Sequence, residues 1–431
     1  MSPRAAAAVA LLMCSAALGV AVVGTTPWHP LPRARGAAVT VDPALEFTRA
    51  ERQHEEAFHR ALRPPSYAGL VVGLLVSAAL GLTSLGARIV TAIGSRTGER
   101  WWLAAPLGAF AVVGIVRVAT LPFSARAETV LRRFDLSTQT WASWAADVAK
   151  SFGISAVVAA IALLMLLGLA RAFPRHWWLP LGVAGGVLVI VMTFAFPVIV
   201  EPLFNRFTPM PDGPLKTSLL ELARTDGLRV HDVLVADASR RTTAANAYVS
   251  GLGSSRRIVV YDTLLRGASD EEVRLVVAHE LGHVKRRDVA HGAALGAIAV
   301  AALACALAVA LTWRPLLRYA GTTGPTDPRV VPLVLFLVTA AVAVSGPLQC
   351  LVSRRVEARA DVHALDLTRD PEVFVSAERR LALTNLAALR PNPVIYALFY
   401  THPTSPERIA LARQWAITHG VAVPAPRVAP P

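Results

Sequence analysis

The chain has 431 residues, of which 54% are hydrophobic and 17% are charged, and its mean hydropathy is +0.49. Soluble globular domains carry about 25% charged residues, so this composition argues against a soluble enzyme. The three cysteines lie in apolar stretches without a CxxC pattern, which excludes a disulfide scaffold. Most of the net charge of +14 lies beside apolar runs, where basic residues face lipid headgroups, so we expect no nucleic-acid partner.

Seven apolar runs are long enough to cross a bilayer, which needs about 20 apolar residues per helix. They are residues 5–24, 66–87, 101–122, 151–170, 177–200, 289–313 and 330–353. The first run is too long for a signal peptide and lacks a clear cleavage site, so we expect it to stay as a span. Arg117 interrupts the third run, where we expect it to reach the interface, with a polar interior as the alternative. The sequence thus predicts a mainly α, polytopic membrane protein with about seven transmembrane helices and a bilayer as its surroundings.

Two polar stretches are long enough to fold outside the bilayer, and two spans separate them, so they lie on one side. We divide the chain into a membrane region with five spans, an extramembrane segment, two further spans, a second extramembrane segment and a Pro-rich disordered tail. Their bounds are 1–200, 201–288, 289–353, 354–420 and 421–431. Basic residues flank the spans more often on the side of the extramembrane segments, which by the positive-inside rule faces the cytoplasm.

The first extramembrane segment has a mixed α and β pattern. We predict a helix at 214–225, strands at 233–236, 247–252 and 257–261, and a turn at 253–255. A last helix begins at a capping box, with Ser269 at the cap and Glu272 three residues on. These predicted helices and strands indicate a small α+β domain.

That last helix contains His279-Glu280-Leu281-Gly282-His283, an HExxH motif. Residues four apart share a helix face, so His279 and His283 can both bind one zinc ion, with Glu280 placed to take a proton from water. A chance match is expected in roughly one such chain in a hundred. The other interpretation, two histidines on a helix surface, is disfavoured.

A catalytic zinc ion needs a third protein ligand and one open position. Just past the last apolar run, a helical stretch places Glu357 and Asp361 on one face and on the same membrane side as the HExxH motif. Taken alone, this pair is typical of a solvated helix face. The missing ligand makes it a candidate for the metal site.

Together with further motifs, these residues make the chain resemble the type I CAAX prenyl endopeptidases, a family of integral-membrane zinc proteases with seven spans. The matching pieces are residues 201–209 (EPLFNRFTP), 246–248 (NAY), 261–265 (YDTLL), 279–283 (HELGH), 357–361 (EARAD) and 402–409 (HPTSPERI). Their order and spacing cover nearly all of residues 200–415.

The resemblance implies one Zn²⁺ per chain and a role for each matching residue. His279, His283 and Glu357 would bind the metal, and Glu280 would be the general base. Asp361 would either orient a zinc-bound imidazole or donate a proton. His402 would stabilise the charge that develops on the scissile carbonyl.

The resemblance also implies how substrate binds. The strand with Asn246, Ala247 and Tyr248 would lie along the cleft and pair with an extended peptide, and Arg408 is grouped with these substrate-binding residues. The remaining histidines, including His59 and His363, are expected to be ordinary structural residues.

We therefore predict a zinc endopeptidase that cleaves peptide or protein substrates near the membrane surface. The Ala-, Val- and Arg-rich composition is typical of a bacterial genome of high GC content, so we expect a bacterial cell membrane. Prenylated CAAX proteins are not generally expected there, so a quality-control protease without prenyl specificity stays open. An alternative of another class is a non-catalytic zinc-binding membrane module.

Overall fold

The computed structural model describes residues 1–31, 39–251, 253 and 256–428. Within these residues, seven helices are long and apolar enough to cross a membrane, as predicted. Parts of three predicted features, the end of the strand at 247–252, the turn at 253–255 and the last residues of the tail, lie outside the described residues.

The helices and strands follow in chain order. They are α1 (Pro3–Thr25), α2 (Pro43–Glu46), α3 (Arg49–Leu82), α4 (Ser84–Arg96), α5 (Trp101–Arg133), α6 (Trp141–Ala172), α7 (Trp178–Ile199), β1 (Phe207–Pro209), α8 (Pro214–Thr225), β2 (Asp232–Ala236), β3 (Ala247–Ser250), β4 (Arg257–Tyr261), α9 (Asp262–Gly267), α10 (Asp270–Arg286), α11 (Asp288–Ala310), α12 (Arg314–Ala320), α13 (Val331–Thr368), α14 (Pro371–Thr384), α15 (Pro393–Phe399) and α16 (Ser405–His419). The membrane-crossing helices are α1, α3, α5, α6, α7, α11 and α13.

The membrane helices pack as neighbours around the bundle. Helix α5 lies between α3 and α6, α13 packs on α3, and α11 packs on both α7 and α1. Gly182 and Gly186, one turn apart on α7, each approach an alanine of α11 so closely that a Cβ atom would lie 3.3 Å from it. Small residues at this spacing let membrane helices approach each other.

Arg117 lies on the inner side of α5. Ile115 and Val118 are exposed, and the helical repeat of 100° per residue places Arg117 about 160° from Ile115 and about 100° from Val118 around the helix. Its Nε atom is buried and has no hydrogen-bond partner among the described residues. Of the two predicted alternatives, this position favours an Arg117 that faces the helices rather than the lipid.

Helix α13 is much longer than its predicted span. Its 38 residues extend about 57 Å at 1.5 Å per residue, whereas a bilayer core is about 30 Å thick. The helix therefore continues out of the membrane without interruption and carries Glu357 and Asp361 into the extramembrane domain.

The extramembrane domain combines both polar stretches of the chain. Its sheet has the order β1-β2-β4-β3, with β2 parallel to β4 and the other pairs antiparallel. One core contains Leu219, Val260 and Leu281 from the first stretch together with Phe374 and Trp415 from the second. The shared core confirms that the two stretches lie on one side of the membrane.

A buried carboxylate ties the segment before α3 to this domain. Glu46 is fully buried and forms ion pairs with Arg379 of α14 and Arg413 of α16. Residues 421–428 form no helix or strand, but Arg413 donates to the carbonyl of Pro424 (2.9 Å) and Val428 donates to that of Leu45 (2.9 Å). The two segments therefore meet at Glu46.

Candidate active site

Helix α10 begins at the predicted capping box. The Glu272 amide donates to Ser269 Oγ (3.3 Å), and the Ser269 amide donates to the Glu272 carboxylate (3.0 Å). Glu272 also accepts hydrogen bonds from Ser376 and Arg380 of α14 (2.7 and 2.6 Å). The start of the helix is thus anchored to the C-terminal part of the domain.

Helix α10 ends at Arg286. Arg287 adopts the left-handed conformation (φ 56°, ψ 38°), and α11 begins at the next residue, Asp288. His279 and His283 therefore occupy the last two turns of α10, immediately before the chain changes direction.

The structure brings the three predicted metal ligands together. His279 Nε2 lies 3.1 Å from Glu357 Oε2 and 3.2 Å from His283 Nε2, and His283 Nε2 lies 3.7 Å from Glu357 Oε2. One ligand atom from each of the three residues lies within 4.8 Å of the others.

These separations fit a tetrahedral ion. With metal–ligand bonds of about 2.0–2.1 Å, neighbouring ligand atoms lie about 3.3 Å apart. Both imidazoles also use Nδ1 to bond a carboxylate, Asp361 for His279 (2.8 Å) and Asp288 for His283 (2.9 Å). In the neutral imidazole, a proton on Nδ1 leaves a lone pair on Nε2, so both histidines would direct Nε2 lone pairs to the same point when a metal ion is bound.

The electrostatic environment favours a cation at this point. Burial lowers the pKa of both imidazoles, but hydrogen bonds to Asp361 and Glu357 raise the pKa of His279 to about 10. Hydrogen bonds to Asp288 and Glu357 likewise overcome burial and raise the pKa of His283 to about 9. Two nitrogens and one carboxylate oxygen form a donor set that a catalytic metal such as zinc uses.

Arg408 contacts Asp361, the carboxylate that bonds His279. Its guanidinium bonds both oxygens of Asp361, with 2.9 Å from Nε to Oδ2, and forms an ion pair of 2.7 Å with the buried Glu378. We expected Arg408 to bind substrate, but its donors are used by two carboxylates. Asp361, for which we left a proton-donating role open, is fully buried and bonds both His279 and Arg408.

Two residues of the site were missed by the sequence analysis. Asp288 accepts a hydrogen bond from His283, and Arg359 in turn hydrogen-bonds Asp288. Asp288 lies only five residues after His283, so a search for carboxylates near the motif could have found it. Arg359 could not have been found this way, because it reaches Asp288 from α13.

His363 closes the space between α10 and α13. Its ring packs against Gly282, where a Cβ atom would lie 3.1 Å from His363 Cβ and Cδ2. Its Nε2 hydrogen-bonds Asp226 (3.1 Å). The expectation of a structural role for His363 agrees with these contacts, and Gly282 is the residue that permits the close approach.

A cleft of about 610 Å³ opens at the metal-binding face, and Asn246, Glu280 and His402 line it. Glu280 forms no hydrogen bond with any described residue, and burial is the main reason that the pKa of its carboxyl group is raised. His402 is 62% exposed, with Nε2 3.5 Å from Glu357 Oε1. His59 also lines the cleft, although we expected it to be an ordinary residue beside a span.

Strand β3 begins directly after Asn246 of the cleft lining, and among the described residues it pairs only with β4, which leaves its other edge free. The Tyr261 amide donates to the Asn246 carbonyl (3.0 Å), which makes Asn246 a hydrogen-bonded position of the antiparallel ladder. Since such positions alternate, Tyr248 also faces β4, while the backbone groups of Ala247 and Val249 face the free edge.

The side chain of Tyr248 lies beside a second, smaller pocket. This pocket of about 240 Å³ lies between the ends of α7, β3 and α11, and Phe194, Val249 and His283 also line it. The Tyr248 hydroxyl donates a hydrogen bond to Glu201 (2.8 Å), which ties β3 to the end of α7.

A bundle of membrane helices that carries an HExxH helix and a His–His–Glu cluster able to hold a metal ion is the arrangement of a membrane metallopeptidase. Comparison with known proteins gives the same result. Residues 209–416 match peptidase family M48, and residues 66–206 match the N-terminal five-helix region of CAAX prenyl proteases.

Similar proteins extend the match along the chain. An uncharacterized metalloprotease of Bacillus subtilis, YhfN, is 32% identical over 70% of this chain and 71% of its own. The CAAX prenyl protease 1 homolog of Arabidopsis thaliana is 30% identical over 68% of this chain and 69% of its own. The crystal structure of S. mikatae Ste24p has the same fold, with a TM-score of 0.73 at 21% identity over 94% of this chain and 98% of that one.

The chain therefore belongs to the CAAX prenyl protease family of the M48 peptidases. It is a multi-pass membrane metalloendopeptidase that acts on peptide or protein substrates.

Proposed function

We propose that the chain is a zinc endopeptidase whose metal is held by His279, His283 and Glu357. The observation that carries this proposal is the convergence of three lone-pair atoms, 3.1 to 3.7 Å apart, on one point beside the cleft. Zinc bound there would polarise the scissile carbonyl and lower the pKa of water to near neutrality.

Glu280 is the general base in this proposal. It follows His279 in the chain, lines the cleft and forms no hydrogen bond with any described residue, so its carboxylate is available to water. Its raised pKa suits a group that takes a proton from water and passes it to the leaving amine. A structural metal site would have no use for such a group, which disfavours the non-catalytic alternative.

His402 stabilises the developing negative charge. Its Nε2 lies 3.5 Å from Glu357 and its ring is open to the cleft, so it can donate a hydrogen bond to a carbonyl oxygen beside the metal ligands. Asp361 and Arg408 touch no reacting atom and act by holding His279.

Substrate binds as an added strand along β3. The groups of Ala247 and Val249 that face the free edge supply backbone hydrogen bonds, and Asn246 lies at the end of the strand nearest Glu280. Tyr248 contributes through its side chain, which walls the second pocket next to His283.

The second pocket supports a substrate that carries an apolar group. It lies where α7 and α11 leave the membrane, and Phe194, Pro197 and Val289 line it. A prenyl group, as the names of the curated relatives imply for those proteins, is one such group. An apolar segment of a membrane protein is the alternative, and it agrees better with a bacterial composition.

We also propose that the site faces the cytoplasm of a bacterial cell. Lys150, Lys285, Arg286, Arg354 and Arg355 all lie at membrane-helix ends on the side of the extramembrane domain. Such an excess of basic residues marks the cytoplasmic side.

The test is cleavage of a farnesylated CAAX peptide by the detergent-purified protein, with the same peptide without its farnesyl group and a Glu280→Gln variant of equal zinc content as controls. Selective cleavage of the prenylated peptide by the wild type supports both protease and substrate class. Cleavage of unmodified membrane substrates alone supports the quality-control alternative. If the wild-type protein holds zinc but cleaves none of these substrates, the proposal that the chain is an endopeptidase is refuted.

A further inference from the structure

The two metal-binding imidazoles are supported in the same way from opposite sides. His279 bonds Asp361, which is held by Arg408, and His283 bonds Asp288, which is held by Arg359. In the first set of contacts, Asp361 and Arg408 belong to the matching motifs at residues 357–361 and 402–409. In the second set of contacts, Asp288 lies outside those motifs, and Arg359 lies within residues 357–361 but has no role assigned by the resemblance.

The position of Asp288 depends on the break between α10 and α11. Residue i+5 of a continuous helix lies on a different face from residue i, so Asp288 could not reach His283 if α10 simply continued. The left-handed Arg287 redirects the chain, and Asp288 Oδ2 comes to lie 2.9 Å from His283 Nδ1.

Arg359 reaches the same carboxylate from α13. It hydrogen-bonds the other oxygen of Asp288, Oδ1, so that Arg359 and His283 each bond one oxygen. Among the described residues, Asp288 is the only carboxylate within ion-pair distance of Arg359. Arg359 lies two residues after Glu357 on α13. It therefore links the helix that carries Glu357 to His283, through Asp288.

We propose that Arg359 is a positioning residue of the metal site, and that it acts on His283 through Asp288. A carboxylate that accepts the Nδ1 proton fixes the tautomer in which Nε2 is free to bind metal. Arg359 holds that carboxylate in position through its other oxygen, because a guanidinium binds carboxylate oxygens in a defined geometry. This inference rests on the proposed zinc site.

The experiment measures zinc affinity and the rate of zinc loss to a chelator for the full chain in detergent, with no substrate. Loss of an outer partner of a metal ligand costs about 10- to 100-fold in metal affinity. We therefore expect Arg359→Gln and Asp288→Asn each to weaken zinc binding by about tenfold or more. Arg355→Gln, which removes the same charge from an exposed position one turn earlier on α13, leaves zinc binding unchanged.

A double-mutant cycle decides whether Arg359 acts through Asp288. If it does, the variant with both Arg359→Gln and Asp288→Asn binds zinc as weakly as Asp288→Asn alone. If the two losses multiply, Arg359 acts independently and the proposal is overturned. Equal zinc binding by Arg359→Gln and the wild type overturns it as well.

If Arg359→Gln does not fold, Arg359→Lys, which keeps the positive charge, takes its place in the zinc-binding experiment. Zinc binding by this variant is expected to lie between wild type and Asp288→Asn, and to show no further loss in the Asp288→Asn background. A further loss there refutes the proposal. Because zinc is measured without substrate, a lack of proteolysis would contradict the proposed function and leave this result intact.

Discussion

Gly282 is the residue at which the fit between α10 and α13 can be tested most directly. In Gly282→Ala, the new Cβ atom would lie 3.1 Å from Cβ and Cδ2 of His363 and 3.2 Å from its Cγ. Carbon atoms normally pack at about 3.5–4.0 Å, so the helices must move apart by about 0.4 Å or more. His363 cannot simply turn away, because its Nε2 is hydrogen-bonded to Asp226.

The effect on stability is the balance of two terms. Alanine stabilises a helix interior by about 1 kcal/mol relative to glycine, whereas overpacking a core costs about 1–3 kcal/mol. Gly282→Ala is therefore expected to lose about 0–2 kcal/mol, which leaves the protein folded. The unfolding temperature should fall only slightly.

The effect on the metal site is larger. Helix α10 carries both histidines and α13 carries Glu357, so a shift between the helices changes the two distances to Glu357, 3.1 and 3.7 Å. A productive site must be held within about 0.5 Å, and a displacement of about 1 Å can cost roughly 100-fold in rate. We expect kcat/KM to fall about tenfold and zinc to dissociate faster.

The assay compares kcat/KM and chelator-driven zinc loss of Gly282→Ala with those of Gly292→Ala. Gly292 lies in the next helix, and a Cβ atom there meets nothing within 4 Å. The control variant should be as stable as the wild type or more so, with unchanged activity. If Gly282→Ala keeps the wild-type rate and zinc retention, the close contact does not set the ligand geometry.

Three further substitutions test other parts of the structure. Glu280→Gln should lower kcat by at least about 100-fold with zinc content unchanged, as measured by single-turnover cleavage and metal analysis; a rate near that of the wild type would exclude Glu280 as the base. Glu46→Gln should lower the free energy of unfolding by about 3 kcal/mol, because Arg379 and Arg413 lose their buried partner; an unchanged thermal unfolding curve would contradict this. Val249→Pro removes a backbone donor from the free edge of β3 and should raise KM about tenfold through one lost hydrogen bond; an unchanged KM would mean that substrate does not pair with this strand.

The features that could be predicted from the sequence are those encoded over a few neighbouring residues. The capping box at Ser269 sets the start of α10. The four-residue spacing of His279 and His283 then places both imidazoles on one face. The chemistry of zinc required a further ligand and made Glu357 and Asp361 candidates, and the resemblance to the CAAX prenyl endopeptidases then selected Glu357.

The arginines that hold Asp361 and Asp288 could not be predicted in the same way, because long-range packing brings Arg408 and Arg359 to these carboxylates. Arg408 belongs to a motif with His402 and was grouped with the substrate-binding residues. In the structure, its long side chain extends from α16 to Asp361 and Glu378 instead. His59 shows the opposite case, since it reaches the cleft only because α3 continues beyond the membrane.

Helix α13, the last membrane-crossing helix, connects the membrane bundle to the candidate metal site. The same uninterrupted α13 packs on α3 at one end and carries Glu357, Arg359 and Asp361 at the other. Each of these three residues contacts a different part of the metal site: Glu357 approaches both Nε2 atoms, Asp361 bonds His279, and Arg359 bonds Asp288. Because they share a helix with the membrane span, a displacement of α13 in the bilayer must reach both histidines.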